Sequence, residues 1–293
     1  MDRYRKVIEE SNVPIENEFI GRELERIFEK LPEYSTQEVY TRIFNSIDLT
    51  TLNTDDSQES VTGFVKRVND FDNEYPQYPN VAAICVFSNF AGIVRSILEV
   101  SGVDIAVVAG GFPSGQTFTA VKVADTALAV SEGADEVDVV MNIGMLRDGN
   151  YEELCDELIE VKQAAKGARL KVIIESGALK TPENIRNASL LAMWSDADFI
   201  KTSTGKVYAG ASPEAAYVMC RCIKEYYEKT GRKVGFKAAG GVRSAEDAIR
   251  YYAIVKDVLG DEWLNKDLFR IGASSLANAI LSKMLGEEEV KYF

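Results

Sequence analysis

A chain of 293 residues with 46 acidic and 33 basic side chains, a net charge of −13 and no histidine lacks several common chemistries at the outset. Ser-His-Asp and Cys-His catalysis and every His-ligated metal site are ruled out, so proton transfer falls to Lys, Asp, Glu, Tyr, Ser or water. The acidic balance argues against nucleic acid and anionic membranes as partners, and an anionic small substrate would need a locally positive site.

Apolar residues make up 46% of the chain, enough for a large core without staples. Cys85, Cys155, Cys220 and Cys222 form no CxxC pair, which points to free thiols in a reducing cytosol. The N-terminus lacks an apolar signal region, and no apolar run approaches a membrane span. A cytoplasmic protein is expected.

Residues 1–45 are predicted helical. Ile20, Leu24, Ile27, Phe28 and Leu31 recur at helical spacing, and Pro32 closes that segment. Ser35-Thr36-Gln37-Glu38 forms a capping box ahead of Val39, Ile43 and Phe44. This N-terminal extension is expected to cover one end of the main domain, at its closed bottom or at a subunit interface.

From Ser46 onward, short apolar runs alternate with amphipathic segments. Strands are predicted at 46–50, 82–87, 104–109, 136–141, 170–175, 198–202, 234–238 and 268–272. A helical pattern follows each. Ser212-Pro213-Glu214 and Thr181-Pro182-Glu183 place an N-cap before a first-turn proline, and Ser244-Ala245-Glu246-Asp247 is another marked start. Eight strand–helix units over 46–286 have the rhythm of an α/β fold, a (β/α)8 TIM barrel, with 287–293 left as a tail. A doubly wound open sheet is the competing architecture, weakened because no GxGxxG follows the first strand.

Charges interrupt three of these strands: Asp138 in EVDVVM, Lys201 in DFIKTSTG and Lys237 in VGFKAAGG. A lone charge in a core is costly, so each needs a partner or a function. One reading is a structural ion-pair network, which Glu175 and Asp48 could complete. The other uses the excess positive charge. A lysine attacks a carbonyl only as the neutral amine, so its reference pKa of ~10.4 must fall by roughly three units, about 4 kcal/mol. A second ammonium ~5 Å away at an effective dielectric of ~20 supplies roughly 3 kcal/mol of that, and burial can add the rest. Of the two lysines, Lys201 precedes the polar run Thr202-Ser203-Thr204, which can bond a carbinolamine, whereas Lys237 precedes Ala238-Ala239-Gly240. Lys201 therefore suits the covalent role and Lys237 the field around it.

Three turns after strands look ready for an anion. They are Thr202-Ser203-Thr204-Gly205-Lys206, Ala239-Gly240-Gly241-Val242-Arg243 and Gly272-Ala273-Ser274-Ser275. Glycine admits close backbone approach, and helix N-termini offer free N–H groups to phosphate. Lys206 or Arg243 could add charge.

The motifs GADEVDVVMN, LKVIIESG, DFIKTSTGK, VGFKAAGGVR and FRIGASSL, with IDLTTLN, AAICVF and VVAGGFPSG before them, resemble the deoxyribose-phosphate aldolase family. The resemblance runs in order through residues 45–285. It implies that Lys201 is the Schiff-base lysine, Lys237 the lysine that perturbs it and Asp138 the acid–base aspartate. Substrate contacts are expected at Asp48, Thr202, Gly205, Lys206, Gly240, Gly241, Gly272, Ser274 and Ser275. It further implies reversible cleavage of 2-deoxy-D-ribose 5-phosphate to acetaldehyde and D-glyceraldehyde 3-phosphate. No metal or other cofactor is expected, and the partners are small phosphorylated sugars and aldehydes, with homo-oligomerisation left open.

Departures from the family pattern are Ala238, where a proline is frequent, and Phe87-Ser88-Asn89, where a Tyr-Pro turn is expected. Tyr292 is penultimate rather than terminal. Cys85, Cys220, Cys222, Tyr226, Tyr227, Tyr251 and Tyr252 read as packing residues, and Lys171 as charge pairing at the barrel bottom.

Overall fold

The apolar runs become β1 (Ile47–Thr50), β2 (Ala83–Phe87), β3 (Asp104–Ala109), β4 (Glu136–Val140), β5 (Arg169–Ile173), β6 (Phe199–Lys201), β7 (Gly235–Ala239) and β8 (Phe269–Ala273) in the computed structural model, which describes residues 3–293. All pair in parallel and in chain order, and β8 closes on β1 to make a barrel. A helix follows every strand, so the architecture is a (β/α)8 TIM barrel.

Side chains alternate across each strand. Ile47 and Leu49, Ile84 and Val86, Ile105 and Val107, Val137 and Val139, and Leu170 and Val172 join the main hydrophobic core, as do Ile200, Phe236 and Ile271. Residues of the other parity form the inner wall. On one side it is small and apolar, with Leu52, Ala83, Cys85, Ala106 and Val108 clustered together. The other side of the inner wall carries the buried charges Asp48, Glu136, Asp138, Lys171, Lys201, Lys237 and Arg270, with the Phe199 ring beside Lys171 and Arg270, and becomes the site described below.

The helix starts at Ser212, Thr181 and Ser244 are capped as their sequences imply, each hydroxyl accepting a bond from the backbone N–H three residues on. The helix Gln37–Phe44 is capped by Thr36, not by Ser35: Thr36 Oγ1 accepts from Val39 N at 3.3 Å.

The N-terminal segment packs on the helices of the barrel. Its helix Asn17–Phe28 packs along the outer wall, on Pro213–Thr230 and Ala245–Leu259, burying Ile20, Leu24 and Ile27. Arg26 reaches Asp257 at 2.6 Å, and Ser11 donates to Glu225 at 2.7 Å. Among the described residues, no helix is long and apolar enough to cross a membrane.

Candidate active site

Parallel pairing sets Lys201 of β6 directly beside Lys237 of β7. Both amines converge on one oxygen of β4. Asp138 Oδ2 accepts from Lys201 Nζ at 2.7 Å and from Lys237 Nζ at 2.8 Å. Lys237 also donates to Asp48 of β1. Among the described residues Asp138 Oδ1 accepts no hydrogen bond; its ionic neighbour is Lys171 Nζ at 3.3 Å.

Lys171 was expected at the barrel bottom. It lies in the middle instead, fully buried, bonded to Glu136 and 3.4 Å from Asp48. Below it, Arg270 of β8 donates to Asp48 Oδ1 at 2.6 Å, to Glu136 Oε1 at 2.9 Å and to Asp104 at 3.2 Å. Glu136 and Arg270 escaped the sequence reading although strand parity marks them, since Glu136 is two residues from Asp138 and faces the same way. Glu175 does not balance the network. It holds the strand-six loop, accepting from Thr204 N at 3.2 Å and Thr204 Oγ1 at 2.6 Å.

The electrostatics separate the two lysines. Burial pushes the Lys201 amine down, and the Lys237 ammonium adds to this, so its pKa lies below the usual lysine value despite Asp138. Burial disfavours the Lys237 ammonium too, but Asp138 and Asp48 outweigh it and hold its pKa above the usual value. Burial opposes ionisation of Asp138, yet Lys171, Lys201 and Lys237 keep it well below the ordinary carboxylate range. The Cys85 thiol is pushed up by burial and stays protonated.

Above this network opens a cavity of about 540 Å³ at the C-terminal end of the strands. Lys201 forms part of its lining, while Asp138, Asp48 and Lys237 lie sealed beneath. Of the expected substrate contacts, Gly205, Lys206, Gly240, Gly241, Gly272, Ser274 and Ser275 line it. Thr202 does not. Its hydroxyl accepts from Ala239 N at 2.9 Å and donates to Ala239 O at 3.0 Å, tying β6 to β7. Ser203 is likewise turned away, its hydroxyl 3.5 Å from that of Ser176. The polar run after Lys201 is thus mostly committed to the scaffold.

Glycine is needed where the loops after β6 and β7 meet. Gly240 has φ +88°, and a Cβ there would lie 2.9 Å from Gly210 Cα. The helix Leu276–Leu285 starts at the cavity, and Ser275 makes no side-chain cap bond. Its first N–H groups therefore lack the side-chain partner found at Ser212, Thr181 and Ser244. Lys206 Nζ reaches across to donate to Leu52 O in the loop after β1.

Thr51, Asn53, Phe64, Arg243, Asn278 and Phe293 also line the cavity. Asn278 and Phe293 had no sequence signal as a pair, because their proximity is made by the tail. Asn278 Oδ1 accepts from Tyr292 N at 3.0 Å and Phe293 N at 2.9 Å. Tyr292 itself packs against Phe71 and Tyr75, and its hydroxyl donates to Arg67 O at 2.9 Å. The cavity lining therefore includes Phe293 but not Tyr292.

Comparison with known proteins shows the family. The chain is 40% identical over 270 residues to a Caenorhabditis elegans protein provisionally named a deoxyribose-phosphate aldolase, covering 91% of this chain and 88% of the relative. The Homo sapiens deoxyribose-phosphate aldolase is 41% identical over 248 residues, 80% of this chain and 77% of its own. A solved structure from Coccidioides immitis, also provisionally titled a deoxyribose-phosphate aldolase, superposes with a TM-score of 0.70 at 28% identity, covering 83% of this chain and 86% of that one. The family model described as DeoC/LacD family aldolase matches residues 42–280, the stretch that builds the barrel and every strand of the site. The chain belongs to the DeoC/LacD family of aldolases.

Proposed function

We propose that this aldolase cleaves 2-deoxy-D-ribose 5-phosphate reversibly to acetaldehyde and D-glyceraldehyde 3-phosphate through a Schiff base on Lys201. The observation that carries the proposal is a single amine with two properties. Lys201 opens to the cavity, and it shares a carboxylate oxygen with a second lysine whose pKa Asp138 and Asp48 hold above the usual value. A buried amine beside an ammonium is the nucleophile that imine chemistry needs.

Neutral Lys201 adds to the aldehyde carbon of the open-chain sugar, and loss of water with uptake of one proton from solvent, released again at the final hydrolysis, gives the protonated imine. The bond between the second and third carbons breaks, its electrons entering the imine to leave an enamine. Imine formation draws the Lys201 nitrogen away from Asp138 Oδ2, 2.7 Å from it in the free protein, and a water admitted there carries the proton of the third-carbon hydroxyl to Asp138 and later back to the enamine. Hydrolysis of the imine frees acetaldehyde and restores the amine. Lys237 stays charged throughout and keeps Lys201 neutral between turnovers. The iminium is the electron sink, so the route asks for no Lewis acid.

At the far side of the cavity, the phosphate is assigned to the turns Gly240-Gly241 and Ser274-Ser275 and to the helix start that follows. Lys206 and Arg243 add positive charge there, supplying the local field that an acidic protein otherwise lacks. Asp48 acts from below through Lys237, and Thr202 through the β6–β7 tie, so neither is assigned a substrate contact.

Incubation with 2-deoxy-D-ribose 5-phosphate, with acetaldehyde followed by a coupled reductase, tests the proposal. Release of acetaldehyde at a rate set by the protein concentration supports it. Binding of the sugar phosphate without release identifies a silent barrel and overturns it, and turnover of a different phosphorylated sugar alone overturns the substrate assignment.

A further inference from the structure

The barrel holds more charge than the proposed chemistry uses. Facing its interior are four cationic side chains, Lys171, Lys201, Lys237 and Arg270, and three carboxylates, Asp48, Glu136 and Asp138, all buried. At the half-exposed rim, Arg169 pairs with Asp104 at 2.8 Å and with Asp267 at 2.9 Å; Asp267 is exposed and screened by water, so the seven buried groups set the count. The cluster is one proton over balance.

We propose that the surplus positive charge of this buried cluster compels Lys201 to surrender its proton, and that Arg270 sustains the surplus while Glu136 limits it, so that both are positioning residues for the nucleophile. This deepens the Schiff-base reading and rests on it. Arginine does not release a proton inside proteins. Lys171 has three carboxylates within reach, at Glu136, Asp48 and Asp138. Lys237 has two, Asp48 and Asp138. Lys201 has one, on an oxygen that Lys237 also uses, and it alone of the four lines the cavity through which a proton can leave. The surplus charge therefore falls on Lys201.

Other elements around Lys201 do not alter the count. β2 presents Cys85, kept neutral by burial, and β3 presents Ala106 and Val108. Glu175 at the end of β5 is held by Thr204. Lys206 and Arg243 are exposed at the cavity wall, where water screens them. Influence runs through two relays, Glu136 to Lys171 to Asp138, and Arg270 to Asp48 to Lys237, each meeting Lys201 at Asp138.

The count gives opposite signs for two neighbouring substitutions, which a merely structural role does not. Arg270→Gln balances the cluster and should raise the Lys201 pKa by about one unit or more, slowing its acylation near neutral pH about tenfold. Glu136→Gln doubles the surplus and should lower that pKa. The double variant restores the count and should return it to the wild-type value. The readout is competitive acetylation of the ligand-free protein across pH, with mass spectrometry of the Lys201 peptide.

Lys171→Met and the rim substitution Asp104→Asn repeat the test if a first variant does not fold. The former should raise the pKa and the latter lower it. Both singles shifting the same way, no shift, or a double variant that keeps the shift of either single would overturn the proposal. Because labelling needs no substrate, that failure is distinct from failure of the Schiff-base reading, which would show as no borohydride adduct on a lysine whose pKa still follows the count.

Discussion

Replacing Lys237 by methionine keeps most of the side-chain volume and removes one charge. In the native site its Nζ lies 2.8 Å from the same Asp138 oxygen that accepts from Lys201 at 2.7 Å. Taking the two amines as ~5 Å apart at an effective dielectric of ~20, their repulsion is roughly 3 kcal/mol, or about two pKa units. Loss of Lys237 also leaves Asp138 and Asp48 less compensated, which favours the Lys201 ammonium further. The Lys201 pKa is below the usual lysine value in the native protein and should rise in the variant. The value of kcat/KM near pH 7 should fall about a hundredfold, and the loss should shrink as pH rises toward the new pKa. The assay is the pH profile of kcat/KM for acetaldehyde release. A loss of equal size at every pH, or an inflection moved to lower pH, would refute the reasoning.

Other expectations concern the phosphate, the loops, the metal and the N-terminal segment. Ser274→Glu places a negative charge in the cavity wall and should raise KM for the phosphorylated sugar with little change in kcat; an unchanged KM would remove the phosphate from that turn. Gly240→Ala puts a Cβ 2.9 Å from Gly210 Cα at a positive φ, and should cost at least about 1 kcal/mol of stability, read as a lowered Tm. Exhaustive chelation should leave activity intact, and loss that a divalent metal restores would contradict the imine route. Deleting residues 1–30 strips Ile20, Leu24 and Ile27 from the outer wall, each worth roughly 1.5–3 kcal/mol when buried. Tm should fall while the chemistry of the folded fraction persists, and an unaltered Tm would show the segment to be dispensable.

The barrel was legible because its strands are short, β-branched and buried on both faces, while helix starts such as Ser212-Pro213 announce themselves. Lys201, Lys237 and Asp138 stood out as charges inside apolar runs. Lys171, Glu136 and Arg270 sit in the same kind of run but nearer the strand starts, where Lys171 reads as an end charge and the other two do not stand out. Their burial depends on where closure of the barrel puts the middle of its interior. Thr202 was misread for a related reason. A hydroxyl next to Lys201 looks available until the neighbouring strand is seen to use it. The N-terminal stripe was visible, but an apolar face does not name what it packs on, so the outer wall could not be told from the barrel end. Phe293 and Asn278 were out of reach for pattern reading, because their place at the cavity depends on the tail folding back onto a helix.

The central claim is that Lys201 forms the covalent bond to substrate. Treating the protein with sodium borohydride in the presence of 2-deoxy-D-ribose 5-phosphate, then digesting it and sequencing the modified peptide by mass spectrometry, tests this directly. The account predicts inactivation and a reduced adduct on Lys201, absent in Lys201→Leu. An adduct on Lys237 would exchange the two lysines' roles, and an active enzyme with no adduct on either would contradict the Schiff-base account.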